Sequence, residues 1–188
     1  MDSILNIFTA LGLSSSAGLN AYIPLLVVAL LARFTDLITL KPPWDAMESW
    51  WVIGVLAVLL LVEIVADKIP AVDSVNDIIQ SFVRPAAGAV LFAAGSGAIG
   101  KVDSVLAVIC GLLVAGGIHA VKATARPVIT GTTGGLLNPV VSTAEDVVSF
   151  IVSVLSIVLP ILALLVLALI VFWFVRRRRH RKEQAPGW

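Results

Sequence analysis

The sequence predicts an all-α fold, a polytopic helical membrane bundle of about five hydrophobic segments, with one or two broken or re-entrant helices and a short amphipathic interfacial helix. Three observations carry that expectation. The chain is 59% hydrophobic and 13% charged, with a mean hydropathy of +1.04, a composition suited to lipid rather than water. Its apolar runs have the length of membrane crossings, about 20 residues for a hydrocarbon core of about 30 Å. Six of its thirteen basic residues, Arg176, Arg177, Arg178, Arg179, Arg181 and Lys182, stand together directly after the last run. With 188 residues there is room for one bundle. Residues 1–175 therefore read as a single transmembrane domain and 176–188 as a basic cytoplasmic tail.

The first apolar run, from about Ile4 to Phe34, is too long for one ordinary span. It is interrupted at Ser14, Ser15, Ser16, Ala17, Gly18, Leu19 and Asn20, with Pro24 just beyond, which predicts a broken helix. Ahead of it, Met1, Asp2 and Ser3 supply no basic n-region, which argues against a cleaved secretory signal. The second span is expected from Trp51 to about Pro70, entered through Trp44, Trp50 and Trp51, whose rings suit the headgroup level.

Between Val72 and Phe82 the pattern changes, with Val72, Val75, Ile79 and Phe82 on one helical face and Asp73, Asn76, Asp77 and Gln80 on the other. That pattern predicts a helix lying on the membrane surface. A short third segment, Pro85 to Ile99, spans or re-enters, with Ala89, Ala93 and Gly97 forming a small-residue stripe for close helix approach. The fourth span is expected from about Ser104 to Thr124, ending at Pro127, and the Gly/Thr-rich stretch from Thr130 to Pro139 is expected to be non-helical. Backbone of that kind survives at membrane depth only where protein or a water-filled cavity surrounds it. The fifth span, Val147 to Val175, is expected to kink at Pro160. Cys110 is the only cysteine, so one chain can build neither a disulfide nor a thiolate metal site.

Orientation is read from the Lys and Arg residues near the ends of spans. With the tail cytoplasmic, Arg33, Lys41 and Lys101 join it inside and Lys68, Arg84, Lys122 and Arg126 are left outside, nine against four. This predicts a multi-pass protein of a cytoplasmic (inner) membrane. The same topology gathers Glu63, Asp67, Asp73, Asp77, Glu145 and Asp146 at the end that holds those four basic residues.

Glu63 and Asp67 share a helical face at i, i+4, and His119, Lys122 and Arg126 share another at i, i+3, i+7. Two readings of these stripes stand side by side. Either they neutralise each other as ion pairs near the interface, or they line a binding cavity, since ionisable residues inside a membrane are functional candidates. His119 is the one side chain among them that titrates near neutral pH in water, and its bland reading is a hydrogen-bonded packing residue.

A second feature is a short internal similarity. Ser15, Ser16, Ala17, Gly18, Leu19 and Asn20 resemble Thr132, Thr133, Gly134, Gly135, Leu136, Leu137 and Asn138, each copy preceding a proline and a long apolar helix. Paired interruptions of this kind point to transporters built from repeats; simple Gly-rich packing gives the same pattern.

Several chemistries find no support. The glycine-rich stretches lack the spacing of a phosphate-binding loop, no H-E-x-x-H or His/Cys cluster is present, and Ser14, Ser15 and Ser16 have no G-x-S-x-G context. No enzyme activity, cofactor or metal is expected. The arginine run directly after a span reads as a stop-transfer anchor and an anionic-lipid contact rather than a nucleic-acid site.

At Gly18, Leu19, Asn20, Ala21, Tyr22, Ile23, Pro24, Leu25 and Leu26, from Ala66 to Asp77, and at Arg84, Pro85, Ala86, Ala87 and Gly88, the chain resembles a bacterial membrane-protein family known as domain of unknown function 4126. The resemblance covers the chain up to about Phe150 and implies no activity and no functional residues. The run Glu63 to Lys68 is also similar to the acidic E-x-G-D-K/R motif of small cation/proton exchangers, with one extra residue between Glu63 and Asp67 and no second copy.

The function expected is that of an integral membrane transporter or binder of a small charged solute or lipid headgroup. Glu63 and Asp67 would accept cations or protons. Arg84, His119, Lys122 and Arg126 would hold an anionic group, and Asn20 and Asn138, beside the helix breaks, would add neutral ligands. The alternative is a non-transporting scaffold or assembly protein that recruits a partner through its basic tail. The partners expected are the lipid bilayer, anionic lipid at the tail and, compatibly with the sequence, further copies of the chain.

Overall fold

The computed structural model describes residues 2–67, 70–96 and 103–160, together with 162, 169, 172 and 173. Among the described residues all regular structure is helical: α1 (Asp2–Leu19), α2 (Tyr22–Phe34), a short 3-10 turn (Trp44–Glu48), α3 (Trp50–Ala66), α4 (Pro70–Ser96), α5 (Ser104–Thr133) and α6 (Asn138–Val158). The all-α bundle expected from the sequence is what forms. Stretches within α4, α5 and α6 are long and apolar enough to cross a membrane, and α1, α2 and α3 are shorter apolar helices.

The helix break in the first apolar run falls at Asn20 and Ala21. Asn20 closes α1 through its backbone N–H to Ser16 O at 3.1 Å, and its Oδ1 accepts from the N–H groups of Tyr22 and Ile23 at 3.0 and 3.1 Å. One residue therefore satisfies backbone groups at the end of one helix and the start of the next, as a side-chain cap does.

Three element boundaries differ from expectation. The surface helix and the third segment are one continuous helix, α4, with Pro85 inside it. At 27 residues it is about 40 Å long. Its polarity also runs the other way: Gln80 and Arg84 are buried in the bundle, while Ile78, Ile79 and Phe82 face outward. A helix that hides its polar face in protein and shows its apolar face outside is built to stand among lipid tails.

The second difference is that α5 continues through Pro127 to Thr133, so the Gly/Thr-rich stretch is helical apart from the turn at Gly134 to Leu137. Thr132 and Thr133 hydroxyls bond back to Val128 O and Ile129 O at 2.8 and 2.7 Å, which lets polar residues continue a helix without seeking partners outside it. Gly134, at φ +62°, and Gly135, at φ +83°, then end the helix in the left-handed conformation that glycine adopts without strain.

Thirdly, α6 begins at Asn138 rather than Val147 and stops at Val158; Leu159 leaves helical geometry one residue before Pro160. Of the remainder of the expected fifth span, residues 160, 162, 169, 172 and 173 are described and helical; the rest of it, the basic tail, Lys68, Gly97, Lys101 and the side chains of Val72, Asp73 and Val75 lie outside the described residues.

α1 is the packing centre, in contact with α4, α5 and α6. Residue pairs fix the directions. Gly95 lies beside Ala10 and Ser14 bonds Gly88 O, so α4 is antiparallel to α1, whereas Ala10 shares a cluster with Ala107 and Gly18 lies on Ala115 and Ile118, so α5 runs parallel to it. Backbones approach most closely where α4 crosses α5. A Cβ at Gly111 would overlap Gly88 O and come within 2.6 Å of Ala89 Cα. Ala89 and Ala93, expected as a small-residue stripe, are both buried.

A second seam is made of hydroxyls. Ser16 Oγ meets Ser149 Oγ at 2.8 Å and Ser153 Oγ at 2.7 Å, joining α1 to α6. Small residues and interhelical hydrogen bonds hold helices together where apolar burial gives little drive, as in lipid.

The bundle has two different ends. At one, the Arg33 guanidinium sits 4.3 Å from the centre of the Trp50 ring and bonds Glu48 O, and Trp51 is exposed. Trp44, expected at the headgroup level with these two, turns inward against the cluster of Ala10, Phe92, Ala93 and Ala107. The other end, marked by the break at Asn20, carries the buried charges.

Candidate functional site

The charged end is assembled from five helices. α3 brings Glu63 and, at its C-terminal cap, Asp67; α4 brings Asp77, Gln80, Ser81 and Arg84; α5 brings His119, Lys122 and Arg126; α6 brings Ser142, Glu145 and Asp146; and the end of α1 brings Leu19 and Asn20. On α3, α4, α5 and α6 each set recurs every three or four residues, which stacks it on one helical face.

Arg84 is the deepest of the charges, fully buried among apolar helices. Its Nη2 donates to Glu63 Oε1 at 3.0 Å and its Nη1 to His119 Nδ1 at 3.0 Å. Because a guanidinium can only donate, His119 Nδ1 must accept, and the ring proton resides on Nε2. That N–H faces Ser81 Oγ at 3.0 Å, and the Ser81 hydroxyl in turn donates to Asp77 O at 2.8 Å. The result is a chain in which Arg84 donates both ways, to Glu63 on one side and, through neutral His119 and Ser81, toward Asp77 O on the other.

Three buried atoms along this chain have no protein partner, namely Glu63 Oε2, Gln80 Oε1 and Arg84 Nε. Gln80 stands one helical turn before Arg84 on α4, near the Tyr22 side chain. Two acceptors and one donor left open in a buried locus match the bonding capacity of a small polar guest.

The outer part of the cluster is a network around two cations. Lys122 Nζ lies 2.7 Å from Glu145 Oε2 and donates to Leu19 O at 3.1 Å. Arg126 reaches Asp77 Oδ2 at 3.2 Å, Asp67 Oδ2 at 3.4 Å and Glu145 Oε2 at 3.8 Å. Asp67 also accepts from Ser142 Oγ and Asn76 Nδ2, each at 2.8 Å. Asp146 accepts from Asn20 Nδ2 at 2.9 Å, tying α6 to the helix break. Among the described residues the cluster sets the carboxylates Glu63, Asp67, Asp77, Glu145 and Asp146 against the cations Arg84, Lys122 and Arg126.

Of the residues singled out from sequence, Asn20, Glu63, Asp67, Arg84, His119, Lys122 and Arg126 come together here. Asn138 does not join them: its side chain pairs with Thr130 at 3.0 Å, across the turn between α5 and α6. The two similar sequence stretches thus have different local roles, one capping a helix inside the charge network and the other closing a turn.

Residues 7–180 match the family described as Domain of unknown function (DUF4126). The chain belongs to this family. No curated protein and no solved structure matches it significantly. Membership of DUF4126 therefore places the chain among relatives by sequence and assigns it no chemistry, so what the cluster does rests on its own geometry.

Proposed function

We propose that this protein is a transporter, moving a small charged solute across a cytoplasmic-type membrane, with the charge network at the α1–α2 break as its binding site and the C-terminal tail on the cytoplasmic face. The observation that carries the reading is the burial of Glu63, Arg84 and Lys122 inside a bundle whose outer faces are apolar.

Ionisable side chains in a membrane interior each cost about 2.5–3.5 kcal/mol on insertion scales. Even when paired, buried charges are often no more stabilising than apolar residues of the same volume. Stability alone gives no reason to collect so many here. A network that exchanges internal pairs for contacts with a solute does. A cationic group would compete with Arg84, Lys122 or Arg126 for carboxylates, and an anionic group would compete with Glu63 or Glu145 for the cations. The broken helix supplies exposed backbone ends next to the site, and neighbouring half-helices can shift about Asn20 without breaking a continuous hydrogen-bond ladder.

The test is electrical. Proteoliposomes adsorbed on a solid-supported membrane are stepped into sodium, potassium, methylammonium, acetate or phosphate at constant ionic strength. At least one step should evoke a transient current that empty liposomes lack and that Asp67→Asn/Arg126→Gln protein, folded by gel filtration and circular dichroism, loses at least tenfold. Silence toward every probe, or equal currents from the variant, refutes the transport reading.

A further inference from the structure

We propose that the end of α1 is a binding site for a small monovalent cation, an alkali ion or a primary ammonium, and that in this structure the Lys122 ammonium occupies it. The inference rests on the transport reading and specifies its coupling ion.

Helix α1 stops at Leu19, so beyond Ser16 O, which Asn20 caps, its last carbonyls have no helical donors and form the negative end of the helix dipole. Such a terminus by itself attracts any cation weakly. What makes it a site here is that a charged nitrogen is already seated on it: Lys122 Nζ, on a side chain only 4% exposed, bonds Leu19 O at 3.1 Å and forms an ion pair with Glu145 Oε2 at 2.7 Å. The next residue on each partner element, Asn20 and Asp146, form their own hydrogen bond at 2.9 Å, so a second carboxylate stands beside the first. A backbone carbonyl and carboxylates are the oxygen donors that hard monovalent cations and ammonium groups share.

The charges around Lys122 set the consequence of losing its ammonium. Facing it are Leu19 O from α1, Glu63 and Asp67 from α3, Arg84 from α4, Glu145 and Asp146 from α6, and His119 and Arg126 on its own helix. Neutral Lys122 would leave the cluster's carboxylates, Glu63, Asp67, Asp77, Glu145 and Asp146, set against only Arg84 and Arg126. Lysine is the basic side chain that gives up its proton when buried, which arginine does not do. The exchange therefore balances: the Lys122 ammonium releases one proton to water at the membrane face and becomes an amine, and one monovalent cation takes its place on Leu19 O and Glu145. The charge inside the bundle is unchanged by the swap. An empty site would widen the excess of carboxylates over cations in the cluster, so each half of the exchange favours the other, which is what couples one flux to the other.

The experiment reads binding and does not depend on transport. Detergent-purified full-length Lys122→Ala is melted in N-methylglucamine, sodium, potassium and methylammonium chlorides at equal ionic strength. At least one small cation should raise its midpoint saturably, by about 2–4 °C or more, while wild type at neutral pH is indifferent and Lys122→Ala/Glu145→Gln loses the response. Should Lys122→Ala not fold, wild type at alkaline pH is the second measurement: its midpoint should become dependent on a small cation that has no effect at neutral pH. Midpoints indifferent to all three small cations in whichever protein is measured overturn the site, as does an equal rise in Lys122→Ala/Glu145→Gln. Cation-independent melts accompanied by solute-evoked currents would remove the site and leave the transport reading standing; saturable melts without currents would do the reverse.

Discussion

At the scale of single residues, Arg84 has the most demanding environment, with Glu63 on one side and His119 on the other, both at 3.0 Å. Removing one member of a buried ion pair leaves the other charge uncompensated, typically at about 3–5 kcal/mol. Arg84→Gln or Glu63→Gln alone should therefore lower unfolding free energy, measured by denaturant titration in mixed micelles, by about that amount. The double replacement Glu63→Leu/Arg84→Met removes both charges and should cost less than either single change. If the double variant is as unstable as the sum of the two singles, the pair is not an isolated unit. His119 gives a spectroscopic check: nitrogen NMR of ring-labelled protein should show a neutral imidazole protonated at Nε2, and a proton on Nδ1 would contradict the chain from Ser81 to Glu63.

The charged residues of this site were legible in the sequence because the i, i+4 and i, i+3, i+7 spacings put Glu63 with Asp67 and His119 with Lys122 and Arg126 on shared faces. Ser142, Ser81 and Gln80 were not, because a serine or glutamine in a helix is just as much at home on an exposed face, and only the neighbouring helices decide which face is inside. Their signal exists in hindsight as stripes: Asp77, Gln80 or Ser81, and Arg84 recur along α4, and Ser142, Ser149, Ser153 and Ser156 along α6. Asn138 misled for the opposite reason, since its sequence context copies that of Asn20 while its turn places it beside Thr130.

At the scale of elements, close packing explains why α4 and α5 carry glycines at Gly88 and Gly111. Gly111→Ala puts a methyl group on Gly88 O, and overpacking of this kind costs about 1–3 kcal/mol. Gly54→Ala is the control, because nothing lies within 4 Å of the added atom, and it should be neutral or stabilising by up to about 1 kcal/mol from helix propensity. Equal effects in thermal melts of the two variants would contradict the assigned crossing. On the hydroxyl seam, Ser16→Ala removes a group that meets both Ser149 and Ser153 and should destabilise by about 0.6–1.7 kcal/mol.

Element boundaries were harder to foresee than the elements. Pro85 and Pro127 suggested helix ends, yet both lie inside helices, because neighbouring helices and back-bonding hydroxyls take up the strain and the freed backbone groups that proline creates within a membrane bundle. The break at Asn20, by contrast, was foreseeable because Asn20 is itself a capping residue ahead of a proline-containing apolar helix.

Taken as a whole, the molecule is polar inside and apolar outside at its charged end, the reverse of a protein built for water. Phe82 is 77% exposed and Leu113 70%, while Arg84 is 0% and Glu63 1%. Composition made the apolar exterior predictable; the continuous network within depends on five helices meeting, which no single segment encodes. The decisive comparison is the solute-evoked current of proteoliposomes holding Glu63→Leu/Arg84→Met beside that of wild type, at equal amounts of folded protein. Held for a ligand, these charges should be dispensable for folding and indispensable for charge movement, so the variant should stay folded and fall silent. A folded variant that still carries the wild-type current would show that the network is structural, and would contradict the account at its centre.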